Sequence, residues 1–247
     1  DLVRIDHFRG LEAAWVIDAA CETAVDGHWQ KIPGDMLLSS LQSSLEHCHE
    51  QLPFVAEDLG IITPEVTALK NKYHLPGMSI LQFGFDEFED NPHKPQNIKE
   101  NTIVYTGTHD NDTTKGWFNS LEDDVKKYVL HTLNLPVADD ADVKNAEVDS
   151  QDDDRSSCWY ENLDVADLVV ERLVDNAMHS RANICIIPVQ DCMHLGSEAR
   201  MNTPGTTSGN WQWRLTWDQL ALHHDSNQMM KMLLRNESTH RWVGPNG

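Results

Sequence analysis

The stretch "LPFVAEDLGIITPEVTALKNKYHLPGMSILQFGF" runs from Leu52 to Phe85 and changes character twice. Its two ends, "LPFVAEDL" (52–59) and "MSILQFGF" (78–85), are almost continuously apolar at their centres, as strands buried on both faces of a parallel sheet tend to be. Between them Thr63 can cap a helix and Pro64 fits its first position, so "ITPEVTALKNKY" reads as helical. The order is strand, helix, strand.

The same alternation extends outward. The runs "LVRIDHF", "TIVYTGT" and "NICIIPVQD" are strand-like, and residues 35–50 place Leu37, Leu41, Leu45 and Cys48 on one helix face. A further helix is predicted near 161–180 from Leu163, Ala166, Val170, Leu173 and Ala177. Alternating strands and helices indicate an α/β fold with a parallel sheet, and a (β/α)8 TIM barrel is the leading expectation. Residues 136–157 are acidic and nearly free of aromatic side chains, which predicts a solvated surface excursion. No repeat or low-complexity linker divides the chain, so residues 1–247 read as one domain.

Composition narrows the function classes. The 247 residues are 40% hydrophobic, enough for a real core, and the formal net charge is -21. Such a charge repels phosphate backbones and anionic lipid surfaces, so neither nucleic acid nor a membrane is an expected partner. No apolar run approaches the roughly 18 residues of a membrane helix. The five Cys (Cys21, Cys48, Cys158, Cys185 and Cys192) are odd in number and form no CxxC pair, which favours a reducing, cytoplasmic setting. Residue 1 is Asp and a strand-like run follows at once, which suggests a piece of a longer chain.

Three acids occupy matching places. Asp6 closes "LVRID", Glu57 closes "LPFVAE", and Asp110 follows "TIVYTGTH". In a parallel barrel the C-terminal strand ends form the mouth where catalytic groups collect. Each acid alone has an ordinary reading: an Arg4–Asp6 salt bridge along one strand face, a Glu57–Asp58 charge pair at a helix start, an Asx turn at Asp110. His7, His109, Asp110 and Asp112 could also serve as metal ligands. There is no HxH or HExxH pair, however, and the twelfth position of the calcium-like "DNDTTKG" run is Leu121 rather than Glu. No GxSxG is present, and "NTPGTTSGNW" lacks the GK[ST] ending of a phosphate loop. Two carboxylates supported by a third suit glycosyl transfer, with one attacking the anomeric carbon and another moving the proton.

The segments "RIDHFRGLEAAW" (4–15), "ETAVDGHW" (22–29), "VAEDLGIITPEV" (55–66), "LPGMSILQFGFD" (75–86), "VYTGTHDNDTTKGW" (104–117) and "ARMNTPGTTSGNWQWR" (199–214) resemble glycoside hydrolase family 77, the amylomaltases or 4-α-glucanotransferases. The resemblance implies a retaining transferase that moves α-1,4-glucan segments between maltodextrins, with maltose and maltotriose among its substrates and no metal or cofactor. By the same resemblance Asp6 is the nucleophile, Glu57 the general acid and then base, and Asp110 the group that holds and distorts the donor sugar. Arg4 would keep Asp6 ionised. His7, Asp58 and His109 would bond sugar hydroxyls, Phe83 would form a stacking wall, and Asn202 would line the site.

The resemblance departs at "WVIDAACETA", where a small sequence with Gly or Pro is expected before ETA. It also implies further N-terminal strands, which would make the five strands of this chain the C-terminal part of the barrel, about strands 4 to 8. Two readings compete with the transferase: a glucan-binding piece without turnover, and a metal-dependent barrel hydrolase.

Overall fold

The computed structural model describes residues 2–47, 49, 51–137 and 164–220. The fold is α/β. Strand β1 (Val3–Ile5) pairs with β4 (Phe54–Ala56), the register running Val3 to Phe54, Arg4 to Val55 and Ile5 to Ala56 in parallel. Strands β5 (Gly77–Ile80), β6 (Thr102–Tyr105) and β7 (Ile184–Ile186) form a three-stranded sheet in that order. All five lie where the apolar runs predict them.

An antiparallel hairpin was not foreseen. Strands β2 (Ala13–Val16) and β3 (His28–Lys31) pair with Trp15 opposite Trp29. Their rings meet edge to face at 5.4 Å, and the Arg9 guanidinium lies 4.0 Å over Trp29. The hairpin is half exposed and eleven residues separate its strands, so it has neither a buried apolar run nor a two-residue turn to announce it.

Helix α1 is Gly34–Leu45 and α2 is Pro64–Lys72, the latter capped as predicted: the Thr63 hydroxyl accepts from the Val66 amide and Pro64 opens the first turn. The buried face of α1 differs from the predicted one. Leu38 is fully buried beside half-buried Leu41 and Leu45, whereas Leu37 is 49% exposed. Both 37–41–45 and 38–41–45 satisfy a helical period, and only the surface they pack on distinguishes them. Cys48 lies outside the described residues.

Contacts divide the chain into two compact units. The first comprises Asp1–Ser79, Lys99–Val104 and Ala182–Ile184. Its core gathers Phe8, Leu38, Leu52, Ala56, Val66, Tyr73 and Leu75, with Ile5, Phe54 and Leu69 packed against them. The second comprises Ile80–Ile98, Tyr105–Arg181 and Cys185–Gly247. It contains α3 (Thr114–Ser120), α4 (Asp123–Thr132), α5 (Val165–Met178) and the single turn α6 (Val189–Cys192), with α3 packed on α5. Helix α5 buries Ala166, Val169, Val170, Leu173, Val174 and Ala177, the face predicted for 161–180. Leu163 and most of the predicted acidic excursion at 136–157 lie outside the described residues. The divisions fall inside β5, β6 and β7, so no Gly-, Pro- or Ser-rich segment marks them in the sequence. No helix among the described residues is long and apolar enough to cross a membrane.

Candidate active site

In the first unit, the parallel register of β1 and β4 carries on past the strands. The Glu57 amide donates to Ile5 O at 3.0 Å and the Phe8 amide to Glu57 O at 3.1 Å. Asp6 and Glu57 therefore leave adjacent strand ends, one strand spacing or about 4.8 Å apart in backbone position. Arg4 Nη2 donates to Asp6 Oδ1 at 2.6 Å, and the Asp6 side chain is 79% exposed. This contact is the salt bridge along one strand face that the Arg4–Asp6 spacing predicts.

The Glu57 carboxylate accepts two backbone amides, His7 N at Oε2 (2.7 Å) and Leu59 N at Oε1 (3.0 Å). His7 adopts φ 47 and ψ 54, a left-handed conformation that non-glycine residues seldom take. It turns the chain out of β1 into the 3-10 turn Phe8–Leu11 and leaves its imidazole exposed.

Asp58 is engaged on both oxygens. Lys70 Nζ donates to Oδ2 at 2.5 Å and the Met78 amide to Oδ1 at 2.8 Å. In this conformation the carboxylate joins the end of β4 to α2 and to the start of β5.

In the second unit, the loop from Thr106 to Thr114 holds His109 and Asp110. Asn202 Nδ2 donates to Asp110 Oδ1 at 2.7 Å, and Arg200 Nη2 donates to Asp110 O at 2.8 Å. His109 Nε2 lies 3.5 Å from Asp110 Oδ1, and its ring rests against Trp211 with centroids 5.2 Å apart. Phe83 sits in the 3-10 turn Leu81–Gly84 after β5, 46% exposed, with His93 edge-on at 5.5 Å. The Gln82 amide donates to Thr106 O, and Gln82 Nε2 donates to Asp112 O at 3.1 Å, so this turn is tied to the Asp110 loop.

The structure thus gathers Arg4, Asp6, His7, Glu57 and Asp58 in one unit and Phe83, His109, Asp110 and Asn202 in the other. Sequence reasoning passed over Arg200 and Trp211, although both lie in "ARMNTPGTTSGNWQWR", a quoted motif. It also passed over Asp191, whose carboxylate is buried beneath the Asp110 loop. Among the described residues, no group of three or more His, Cys, Asp or Glu suited to a metal ion comes together.

The 4-alpha-glucanotransferase family model, Glyco_hydro_77, matches residues 1–220. The 4-alpha-glucanotransferase of Thermus thermophilus is 43% identical over 225 residues, which cover 90% of this chain and 40% of that protein. The corresponding enzyme of Synechocystis is 41% identical over 221 residues, 89% of this chain and 38% of its own length. Among solved structures, the amylomaltase from Streptococcus agalactiae in complex with acarbose superposes with a TM-score of 0.75 at 30% identity, over 96% of this chain and 41% of that one. The chain spans about two-fifths of the length of the curated relatives it matches. With strand-end acids in place and a family match that covers all the described residues, the chain belongs to the glycoside hydrolase family 77 of 4-alpha-glucanotransferases.

Proposed function

We propose that this chain provides catalytic residues of a retaining 4-α-glucanotransferase acting on α-1,4-glucans such as maltotriose and longer maltodextrins, its strands belonging to a (β/α)8 barrel. The observation that carries the reading is the β1–β4 register, which sets Asp6 and Glu57 on neighbouring strand ends. Retention needs two carboxyl groups about 5–5.5 Å apart, close to one strand spacing, whereas inversion needs roughly 6.5–9.5 Å to admit a water.

In the first step an Asp6 oxygen attacks the anomeric carbon as the glycosidic C–O bond breaks. Glu57, protonated, gives its proton to the departing oxygen, and the shortened glucan leaves with a free 4-hydroxyl. In the second step Glu57 takes the proton of an acceptor 4-hydroxyl, whose oxygen attacks the same carbon and releases Asp6. Two inversions give net retention. The Arg4 contact holds the Asp6 carboxylate in place at the end of β1. Asp110 holds hydroxyls of the donor sugar, Asn202 orients Asp110, His7 and His109 add hydrogen bonds, and Phe83 offers an apolar face to the ring. For Asp58, the bonds to Lys70 and Met78 favour supporting Glu57's segment over contacting sugar. The thiols of Cys21, Cys185 and Cys192 are free, in keeping with a cytoplasmic setting.

The test uses the full-length gene product carrying Glu57→Gln and an α-maltosyl fluoride donor. Fluoride departs without an acid, so the first step proceeds, and the second stalls for want of a base. Peptide mass spectrometry should find a maltosyl adduct on Asp6. An adduct on another residue, or product of inverted configuration, would overturn the assignment.

A further inference from the structure

We propose that Asp191 is a positioning residue that clamps both ends of the Asp110 loop and thereby sets where the Asp110 carboxylate stands. The loop leaves β6 at Thr106 and enters α3 at Thr114, and both residues are fully buried. Asp191, on the short turn α6, is 1% exposed. Its Oδ2 accepts the Thr106 hydroxyl at 2.5 Å and the Thr114 hydroxyl at 2.7 Å, and its Oδ1 accepts the Thr114 amide at 2.8 Å. One carboxylate thus pins the residue before the loop and the residue after it.

Burial pushes the Asp191 carboxyl above its ordinary value, against the Thr106 and Thr114 donors that pull it down, and in its ionised form it accepts from both threonine hydroxyls. The Thr114 hydroxyl then turns a lone pair to Gln82 Nε2, 3.3 Å away. Gln82 in turn donates its backbone amide to Thr106 O. The chain of donors closes on itself around a buried carboxyl group, and burial without such donors would be costly.

The segment bearing Asp191 continues along the loop. Ser197 Oγ donates to Asp112 Oδ2 at 2.7 Å, Arg200 to Asp110 O, and Asn202 to Asp110 Oδ1. Asp191 is the inner and most buried of these contacts. A buried carboxylate is a costly way to close a loop if closure alone were needed, since apolar packing does this at lower desolvation cost. What the carboxylate adds is direction: it fixes both loop ends relative to one point. An error of about 1 Å at a reacting centre can cost on the order of 100-fold in rate.

This inference rests on the role proposed above for Asp110, and the experiment separates the two. In the full-length gene product, Asp191→Asn keeps the shape but leaves one acceptor oxygen where there were two, so the Thr106 and Thr114 hydroxyls and the Thr114 amide can no longer all donate to it. Amide hydrogen exchange should accelerate across residues 107–113 while Ile103 and Val104 stay protected. Turnover of maltotriose should fall about 10- to 100-fold with KM changed less than about threefold. If Asp191 acts through Asp110, the Asp110→Asn, Asp191→Asn double variant should lose no more than Asp110→Asn alone, whereas a role confined to general stability would multiply the losses. A folded Asp191→Asn variant with unchanged loop exchange, or with multiplied losses, overturns the proposal. Should Asp191→Asn fail to fold, Thr106→Val against Thr106→Ser decides. The serine retains the donor and should match wild type, while valine should loosen the loop and slow turnover, and equal behaviour of the two overturns the clamp. Normal turnover in Asp110→Asn would instead remove the role given to Asp110 and with it the claim that Asp191 acts on turnover through that residue.

Discussion

The His7 amide donates to Glu57 Oε2 across 2.7 Å, and it can do so because His7 sits at φ 47 and ψ 54. The backbone that follows one proposed catalytic acid thereby orients the other. The left-handed conformation costs a side chain with a Cβ roughly 1–2 kcal/mol, a cost glycine escapes. His7→Gly and His7→Ala both lose the imidazole, so their turnover should fall alike. Their melting should differ, with the glycine variant more stable by about 1 kcal/mol in paired denaturation curves. Equal stability of the two would show that the conformation at His7 is unstrained.

The Asp58–Lys70 pair is mostly withdrawn from water, the side chains being 12% and 19% exposed. Removing one partner leaves a poorly solvated charge, so Lys70→Met should destabilise the full-length gene product by about 3 kcal/mol. Lys70→Met combined with Asp58→Leu should recover part of that loss. Gly77→Ala probes the same place, since a Cβ there would collide with the Asp58 carboxylate and the Lys70 ammonium. Urea denaturation of the four proteins checks the order, which should be wild type, then the double variant, then the two single ones.

Lys115 joins α3 to the start of α5, with its Nζ 2.6 Å from Asp167 and 3.1 Å from Asp164. Burial pulls the Lys115 ammonium down, but Asp167 and Asp164 together hold it above its ordinary value. Burial likewise pushes Asp164 up, and the Asp167 amide with the Lys115 ammonium holds it below. A raised lysine contributes stability that is full below its unfolded value, near 10.4, and is lost as pH rises through the folded one. A depressed aspartate contributes stability that is full above about 3.9 and is lost as pH falls through its folded value. The stability difference between wild type and Lys115→Met should therefore be flat from about pH 5 to 9 and shrink beyond both ends. Denaturant midpoints across pH test this, and a difference that grows at either extreme would contradict it.

Cys185 and Cys192 have thiols pushed up to about 11, chiefly by burial, with Cys192 adding to Cys185 and Asp191 adding to Cys192. At pH 8 only about one in a thousand of each is thiolate, the reactive form. Cys21 is exposed. Brief alkylation of the native protein with iodoacetamide should label Cys21 well before the other two, as read by peptide mass spectrometry. Denaturation should equalise all three.

What the sequence determined by itself is local. Five apolar runs marked five strands, Thr63 and Pro64 announced the start of α2, and the period along 166–177 named the buried face of α5, because backbone propensity, capping and side-chain spacing act within a few residues. The acids Asp6, Glu57 and Asp110 were visible because each follows a strand. What only the tertiary structure decided depends on partners distant in the chain. Leu38 rather than Leu37 is buried because of the surface α1 meets, and the Trp15–Trp29 hairpin exists through a cross-strand contact. Asp58 finds Lys70 and the Met78 amide, partners 12 and 20 residues away in the chain. Asp191 looked like any acid after a strand, and it becomes a clamp only where folding brings Thr106 and Thr114 to its two oxygens and removes the water that would otherwise solvate it.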